Sequence, residues 1–249
     1  MTHVARITRA RLALDEAHRA AGLARKPIER SPRDTLVSTG VSLLDDALGG
    51  GLSRGALYAL SGEAGSGRAS LALSWLLRAT LLSREPVAFV DGADALDPES
   101  VPEVLRPRML WVRARSGLEA TACAEQVLDA GGFAMVCVYL VGASGALASR
   151  SAREEHGRPA RQIGPGHWAR IVQRAESGRA IALAVVDRDD PRAPGPLARA
   201  SFVATRGAPR WGRSDVLDAA TIELGLARNR QANAHNDGYA RASLAIDVW

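Results

Sequence analysis

The residues best suited to chemistry lie in a glycine-rich stretch, residues 62–70, which reads Gly-Glu-Ala-Gly-Ser-Gly-Arg-Ala-Ser. Gly62 and Gly67 have the spacing of the phosphate-binding loop G-x-x-x-x-G-K-[ST], whose backbone N–H groups cradle phosphates. Arg68 stands where the loop needs a lysine for the β- and γ-phosphates, and Ala69 stands where it needs a Mg²⁺-binding hydroxyl. The stretch therefore predicts a phosphate-binding fold and counts against phosphoryl-transfer chemistry.

We interpret Gly62, Gly65, Gly67, Arg68 and Ser70 as a degenerate nucleotide-binding site. A planar guanidinium does not replace the compact lysine charge, and a hydroxyl one residue late is displaced by about 100° around a helix. Three interpretations stay open: a relic loop that only packs, weak binding of ATP or ADP without hydrolysis, and hydrolysis. The sequence favours the first, so we expect no catalytic residue and no required cofactor.

Composition limits the classes of function. With 249 residues, 47% of them hydrophobic, the chain can form one large α/β domain or two small ones. The low aromatic content, 4%, argues against a platform for stacking bases. A net charge of +5 mildly favours an acidic partner such as nucleic acid, and a solvated surface explains it about as well. We find no signal-peptide pattern and no apolar stretch of membrane-span length, so we expect a cytoplasmic protein with no membrane partner.

Alternating strands and helices must position the loop. Strand-like runs lie at 55–60, 86–91, 109–112, 133–141, 180–186, 200–205, 218–226 and 243–248, and helical runs at 69–82, 118–131 and 168–175. This alternation predicts an α/β fold with a mostly parallel twisted sheet and helices on both faces. We expect the last strands to pair antiparallel at an edge, and residues 144–166 and 187–196 to form exposed, mobile loops.

The N-terminal region, residues 1–34, has a different character. Residues 4–22 show the spacing of an amphipathic helix, on which Ile7 and Leu14 recur every seven residues, and a polar linker follows. We predict that this helix buries its apolar stripe against a neighbouring subunit, a partner or the rest of the chain, and that residues 35–249 form the core domain.

Two further stretches carry a family resemblance. Residues 38–49, STGVSLLDDALG, precede the loop, and residues 87–98, VAFVDGADALDP, follow it. In this order and at this spacing they resemble the core of the RecA recombinases. The resemblance implies a RecA-like phosphate-loop core and extends more loosely to about residue 230.

The departures from the RecA pattern fall on its chemical groups. The water-activating Glu of that family, two residues after Asp91, corresponds to Ala93, and the neighbouring Asp94 is expected to point elsewhere. The Asp that ends the Walker B strand corresponds to Tyr139, and the glutamine sensor falls near Asp187 or Arg188. Since phosphoryl transfer depends on these groups for positioning and charge, the resemblance implies a pseudo-ATPase.

Several basic residues are candidates for macromolecular contacts. Arg228 and Arg230 resemble a pair that RecA subunits point at the neighbouring subunit, although a solvated strand end fits them as well. The region of the family's first DNA loop carries Arg150, Arg153, Arg158 and Arg161, with Arg170 close by. Such a cluster could contact DNA phosphates, or it could be solvated. We predict no metal site: the carboxylates of residues 187–190, and those of Asp45 and Asp46, are interpreted as surface groups.

A short, degenerate RecA-like chain most resembles the ImuA family. That resemblance implies a non-catalytic accessory role in SOS-induced translesion DNA synthesis and mutagenesis, exercised through protein contacts. The implied partners are RecA, an ImuB-like homologue of Y-family polymerases and an error-prone DnaE-type polymerase, with DNA as a further candidate. The alternative function is a weak DNA-dependent ATPase or recombinase of the RecA family.

Overall fold

Strands and helices alternate along the chain. The computed structural model describes residues 36–142, 162–211, 217–230 and 241–247. The strands are β1 (Leu36–Val37), β2 (Leu52–Ser53), β3 (Leu57–Gly62), β4 (Val87–Asp91), β5 (Met109–Arg113), β6 (Met135–Tyr139), β7 (Ile181–Asp187), β8 (Ala200–Trp211), β9 (Leu217–Asn229) and β10 (Arg241–Asp247). The helices are α1 (Ser42–Ala47), α2 (Arg68–Ser83), α3 (Gly117–Ala130) and α4 (Pro165–Gly178).

One eight-stranded sheet organises these elements, in the order β10-β9-β8-β3-β7-β6-β4-β5. Strands β8, β3, β7, β6, β4 and β5 run parallel, whereas β9 and β10 add antiparallel at one edge. Strands β1 and β2 form a separate antiparallel pair. The predicted α/β fold, with a mostly parallel sheet and an antiparallel edge, is confirmed.

Helices cover both faces of the parallel strands. In β4, Val87 and Phe89 point into the apolar layer beneath α2, while Ala88 and Val90 point into the layer beneath α3 and α4. This alternation follows from the pleat of a strand, and burial on both faces explains why β4 is apolar throughout. Each fully buried large side chain contributes about 1.5–3 kcal/mol, so the two layers fix the sheet on which the loop stands.

The carboxyl ends of four parallel strands meet at one edge. Gly62 ends β3 and pairs in register with Asp187 at the end of β7. Tyr139 ends β6 and pairs with Asp91 at the end of β4. In open α/β sheets this edge is where ligands bind, and the glycine-rich loop begins there.

The turn after β7 differs from the sequence prediction. Asp190 is buried, and its carboxylate accepts hydrogen bonds from the Arg192 guanidinium at 2.6–3.2 Å. The indole N–H of Trp168, on α4, donates to the Arg192 carbonyl at 2.7 Å. Our prediction of an exposed loop at 187–196 is therefore wrong at Asp190, because an ion pair and a core tryptophan tie the turn down.

Some predictions concern residues that lie outside the described ranges. These are the N-terminal helix at 4–22, with the linker up to residue 34, and most of the loop at 144–166. Within the described ranges, no helix combines the length and the apolar character needed to cross a membrane.

Candidate phosphate-binding site

Residues 38–45 precede the phosphate loop and form a segment held by hydrogen bonds to Asp45, here called the Asp45 segment. The Asp45 carboxylate, on α1, accepts hydrogen bonds from the Ser38 hydroxyl at 2.6 Å and from both the N–H and the hydroxyl of Thr39 at 2.7 Å. The Thr39 carbonyl accepts the indole N–H of Trp75, on α2, at 3.0 Å. Asp45 is thus a structural residue and not the plain surface group we predicted, whereas Asp46 is exposed.

The phosphate loop, residues 62–70, has the backbone of an anion cradle. Gly65 and Gly67 have φ angles of +74° and +81°, which favour glycine. Arg68 begins α2 directly after Gly67, so the unpaired N–H groups of the first helical turn face the loop. A Cβ on Gly67 would lie 1.9 Å from Cδ1 of Ile222, a residue of β9, whereas a Cβ on Gly65 would meet open space. Gly67 is therefore required both by its backbone angle and by the close approach of β9.

The Arg68 side chain points into the sheet edge. Its side chain is only 3% exposed, and one guanidinium nitrogen lies 3.1 Å from Oδ1 of Asp187. The same nitrogen donates to the Val186 carbonyl. The positive charge that a phosphate loop normally directs at its ligand is here bound to a carboxylate of its own chain.

Asp187 connects the loop to the segment that follows β6. Besides Arg68, its carboxylate accepts the Gly142 N–H at 2.9 Å, just beyond β6. The next residue, Arg188, donates its backbone N–H to the Gly62 carbonyl at 2.8 Å. The sequence placed the sensor position near Asp187 or Arg188 and did not predict the pairing of Asp187 with Arg68. The signal was present: an arginine at the start of the helix that follows one parallel strand, and an aspartate at the end of another.

The hydroxyl groups of the loop are not placed for Mg²⁺. Ser70 is exposed, and Ala69, at the usual hydroxyl position, packs against the core. Ser66 is buried, and its Oγ has no hydrogen-bond partner among the described residues. A Cβ on Gly62 would lie 2.6 Å from this Oγ and 3.2 Å from Cδ of Arg68, so Gly62 is needed where these side chains meet under the loop.

The Asp91 carboxylate is engaged by its own turn. It is fully buried and accepts hydrogen bonds from the backbone N–H groups of Ala93, Ala95 and Leu96 at 2.9–3.1 Å. Asp94, with φ +52°, forms an exposed pair with Arg113 at 2.7 and 2.8 Å. The described geometry therefore directs both acidic groups away from a water-activating role.

Tyr139 stands at the end of β6 with its ring 5.3 Å from that of Phe89. Burial raises the pKa of Tyr139 to about 12, and the nearby Arg68 cation opposes this shift. The phenol is therefore neutral at physiological pH and supplies no anionic oxygen for Mg²⁺. On the same strand, burial also raises the pKa of the Cys137 thiol, which is consequently unreactive.

The remaining candidate residues are separate from the loop. Arg228 is exposed on β9, and the Arg230 guanidinium donates to the Pro196 carbonyl at 2.7 Å. Arg170 pairs with Glu125 across α3 and α4 at 2.9 Å. Ile7, Leu14, Arg150, Arg153, Arg158 and Arg161 lie outside the described residues. Among the residues that the structure describes, no group of three or more His, Cys, Asp or Glu could hold a metal ion.

Comparison with known proteins gives one local similarity. The chain is 36% identical over 75 residues to the DNA repair and recombination protein RadB of Thermococcus gammatolerans, a RecA-family protein. The match covers 30% of this chain and 32% of RadB, so the chain spans about a third of that relative's length. No family model matches the chain. The similarity supports a RecA-like relationship, in agreement with the fold.

Proposed function

We propose that this protein is a RecA-like accessory protein of DNA repair that does not hydrolyse ATP. Its more specific role would be in SOS-induced translesion synthesis, through contacts with RecA, with an ImuB-like polymerase homologue and with an error-prone DnaE-type polymerase. The observation that carries the proposal is the Arg68–Asp187 pair, because it withdraws the loop's only cation from any phosphate.

Three other positions support the absence of hydrolysis. Ala69 and Ala93 provide no hydroxyl and no carboxylate at the Mg²⁺ and water-activating positions. Tyr139 provides a neutral phenol in place of a metal-linked Asp. Phosphoryl transfer depends on positioned charge, and a RecA-like site without these groups lacks its main source of rate enhancement.

The DNA repair assignment is supported by the relative's name. RadB is a DNA repair and recombination protein, and the same similarity favours the second candidate, a weak DNA-dependent ATPase or recombinase. The two candidates differ in a measurable property, because only the second requires ATP turnover stimulated by single-stranded DNA.

A binding experiment tests the partner contacts. Purified full-length protein is mixed with RecA, and separately with an ImuB-like protein from the same genome, and complexes are resolved by size-exclusion chromatography. Arg228→Ala is compared with Arg206→Ala, since both arginines are exposed and both changes remove one charge. We expect a complex that Arg228→Ala weakens and Arg206→Ala does not. Absence of a complex with either protein would contradict the proposed contacts.

A further inference from the structure

The Arg68–Asp187 pair does more than fill a degenerate loop. We propose that Asp187 is an autoinhibitory counter-ion: by holding the Arg68 guanidinium at the sheet edge, it keeps an otherwise intact anion cradle closed. The inference rests on the proposed function, since it concerns regulation of the same site. Replacing Asp187 by a neutral residue would allow the loop to bind inorganic polyphosphate.

The cradle is still built. Helix α2 runs for 16 residues from the loop, so its N-terminal N–H groups favour an anion. Gly65 leaves open space above its backbone. The buried Ser66 hydroxyl beneath the loop has no partner among the described residues, and a buried hydroxyl in that state is costly unless something binds it. The backbone N–H groups therefore offer donors to an anion, and the unpartnered Ser66 hydroxyl lies directly beneath them.

What is missing from the cradle is a cation facing its ligand. Arg68 lies in the sequence where that cation belongs, but its side chain is turned inward. A buried guanidinium requires a counter-charge, because an uncompensated buried cation is strongly unfavourable. Asp187 supplies that charge at 3.1 Å, so an incoming anion must compete with a carboxylate that is already in place.

Neutralising Asp187 would change this balance. In Asp187→Asn the guanidinium would keep the neutral Val186 carbonyl as acceptor and lose its anionic partner. Asp187 itself is 28% exposed, so this end of the pair lies near solvent and an anion can approach it. An external polyphosphate would then become the better counter-ion for Arg68.

The experiment is calorimetric titration of the full chain with sodium tripolyphosphate, without Mg²⁺. Because a charge-assisted hydrogen bond to Arg68 would be added, Asp187→Asn is expected to bind about tenfold or more tightly than the wild type. The double variant Arg68→Ala/Asp187→Asn should return to the wild-type level. Asp189→Asn is the matched control: it makes the same charge change two residues away, at an exposed position whose φ of +59° asparagine tolerates.

Each outcome decides the proposal. Equal affinity of wild type and folded Asp187→Asn contradicts autoinhibition, as does an equal gain in Asp189→Asn or in the double variant. If circular dichroism shows that Asp187→Asn does not fold, Asp187→Ser, which retains an acceptor for the Gly142 amide, takes its place. Failure of both variants to fold would also overturn the proposal, because the pair would then be a requirement for folding.

Failure here is distinguishable from failure of the proposed function. Autoinhibition is judged by the difference between variants in polyphosphate affinity. The accessory role is judged on the wild type alone, by its ATP turnover and by its complexes with protein partners.

Discussion

The segments held by Asp45 and Asp91 use their side chains differently from the phosphate loop. Asp45 and Asp91 hold backbone and hydroxyl groups of their own segments. In the loop, Arg68 is held by Asp187 and Ser70 is exposed. The residues that resemble RecA most closely are thus those that shape the backbone, and the departures are those that would act on a nucleotide.

The largest effect is expected at the Asp91 turn. Asp91→Ala would leave three backbone N–H groups without their acceptor, that of Leu96 buried, and should lower the free energy of unfolding by about 3 kcal/mol. Asp91→Asn, which keeps one carbonyl oxygen, should cost roughly half as much. Urea denaturation monitored by circular dichroism measures both. A loss for Asp91→Ala no larger than that of an exposed substitution would show that the turn does not depend on this carboxylate.

A smaller effect is expected where β9 packs on the loop. Gly67→Ala would place a methyl group against Ile222 at a positive φ and should cost about 2–3 kcal/mol. Gly65→Ala, also at positive φ but facing open space, should cost only about 1 kcal/mol. Thermal or urea unfolding of the two variants separates backbone strain from overpacking. Equal losses would indicate that Ile222 does not constrain the loop.

The third prediction concerns the Asp45 segment, residues 38–45. Asp45→Ala removes the acceptor for Ser38 and Thr39 and should destabilise the fold by about 2 kcal/mol. Asp46→Ala, an exposed change at the adjacent position, should stay within about 0.5 kcal/mol of the wild type. The same denaturation curves test the pair, and similar values for both variants would contradict the structural role of Asp45.

The smallest effect concerns alkaline pH and Tyr139. Because the folded-state pKa of about 12 lies above the ordinary value of 10.0, folding favours the neutral phenol. The resulting stability is present below pH 10 and is lost as pH rises towards 12. Comparing unfolding of wild type and Tyr139→Phe should show an additional wild-type loss of about 1 kcal/mol at pH 11. Parallel pH profiles would mean that Tyr139 titrates normally.

The sequence predicted the sheet and most of its helices because the apolar runs are long and regular. Strands β4 and β7 are buried on both faces, and such runs are visible without a structure. It did not predict the pairs Arg68–Asp187 and Arg192–Asp190. The first pair depends on which strands lie side by side, and the second on burial of a turn whose composition resembles a solvated loop.

The central claim is that the RecA-like scaffold lacks the groups that hydrolyse ATP, and steady-state ATP turnover tests it most directly. Purified full-length protein would be assayed with Mg²⁺, with and without single-stranded DNA, beside Arg68→Ala as a variant of the loop. We predict no turnover above the level of Arg68→Ala under either condition. Magnesium-dependent turnover that DNA stimulates and that Arg68→Ala abolishes would contradict the claim.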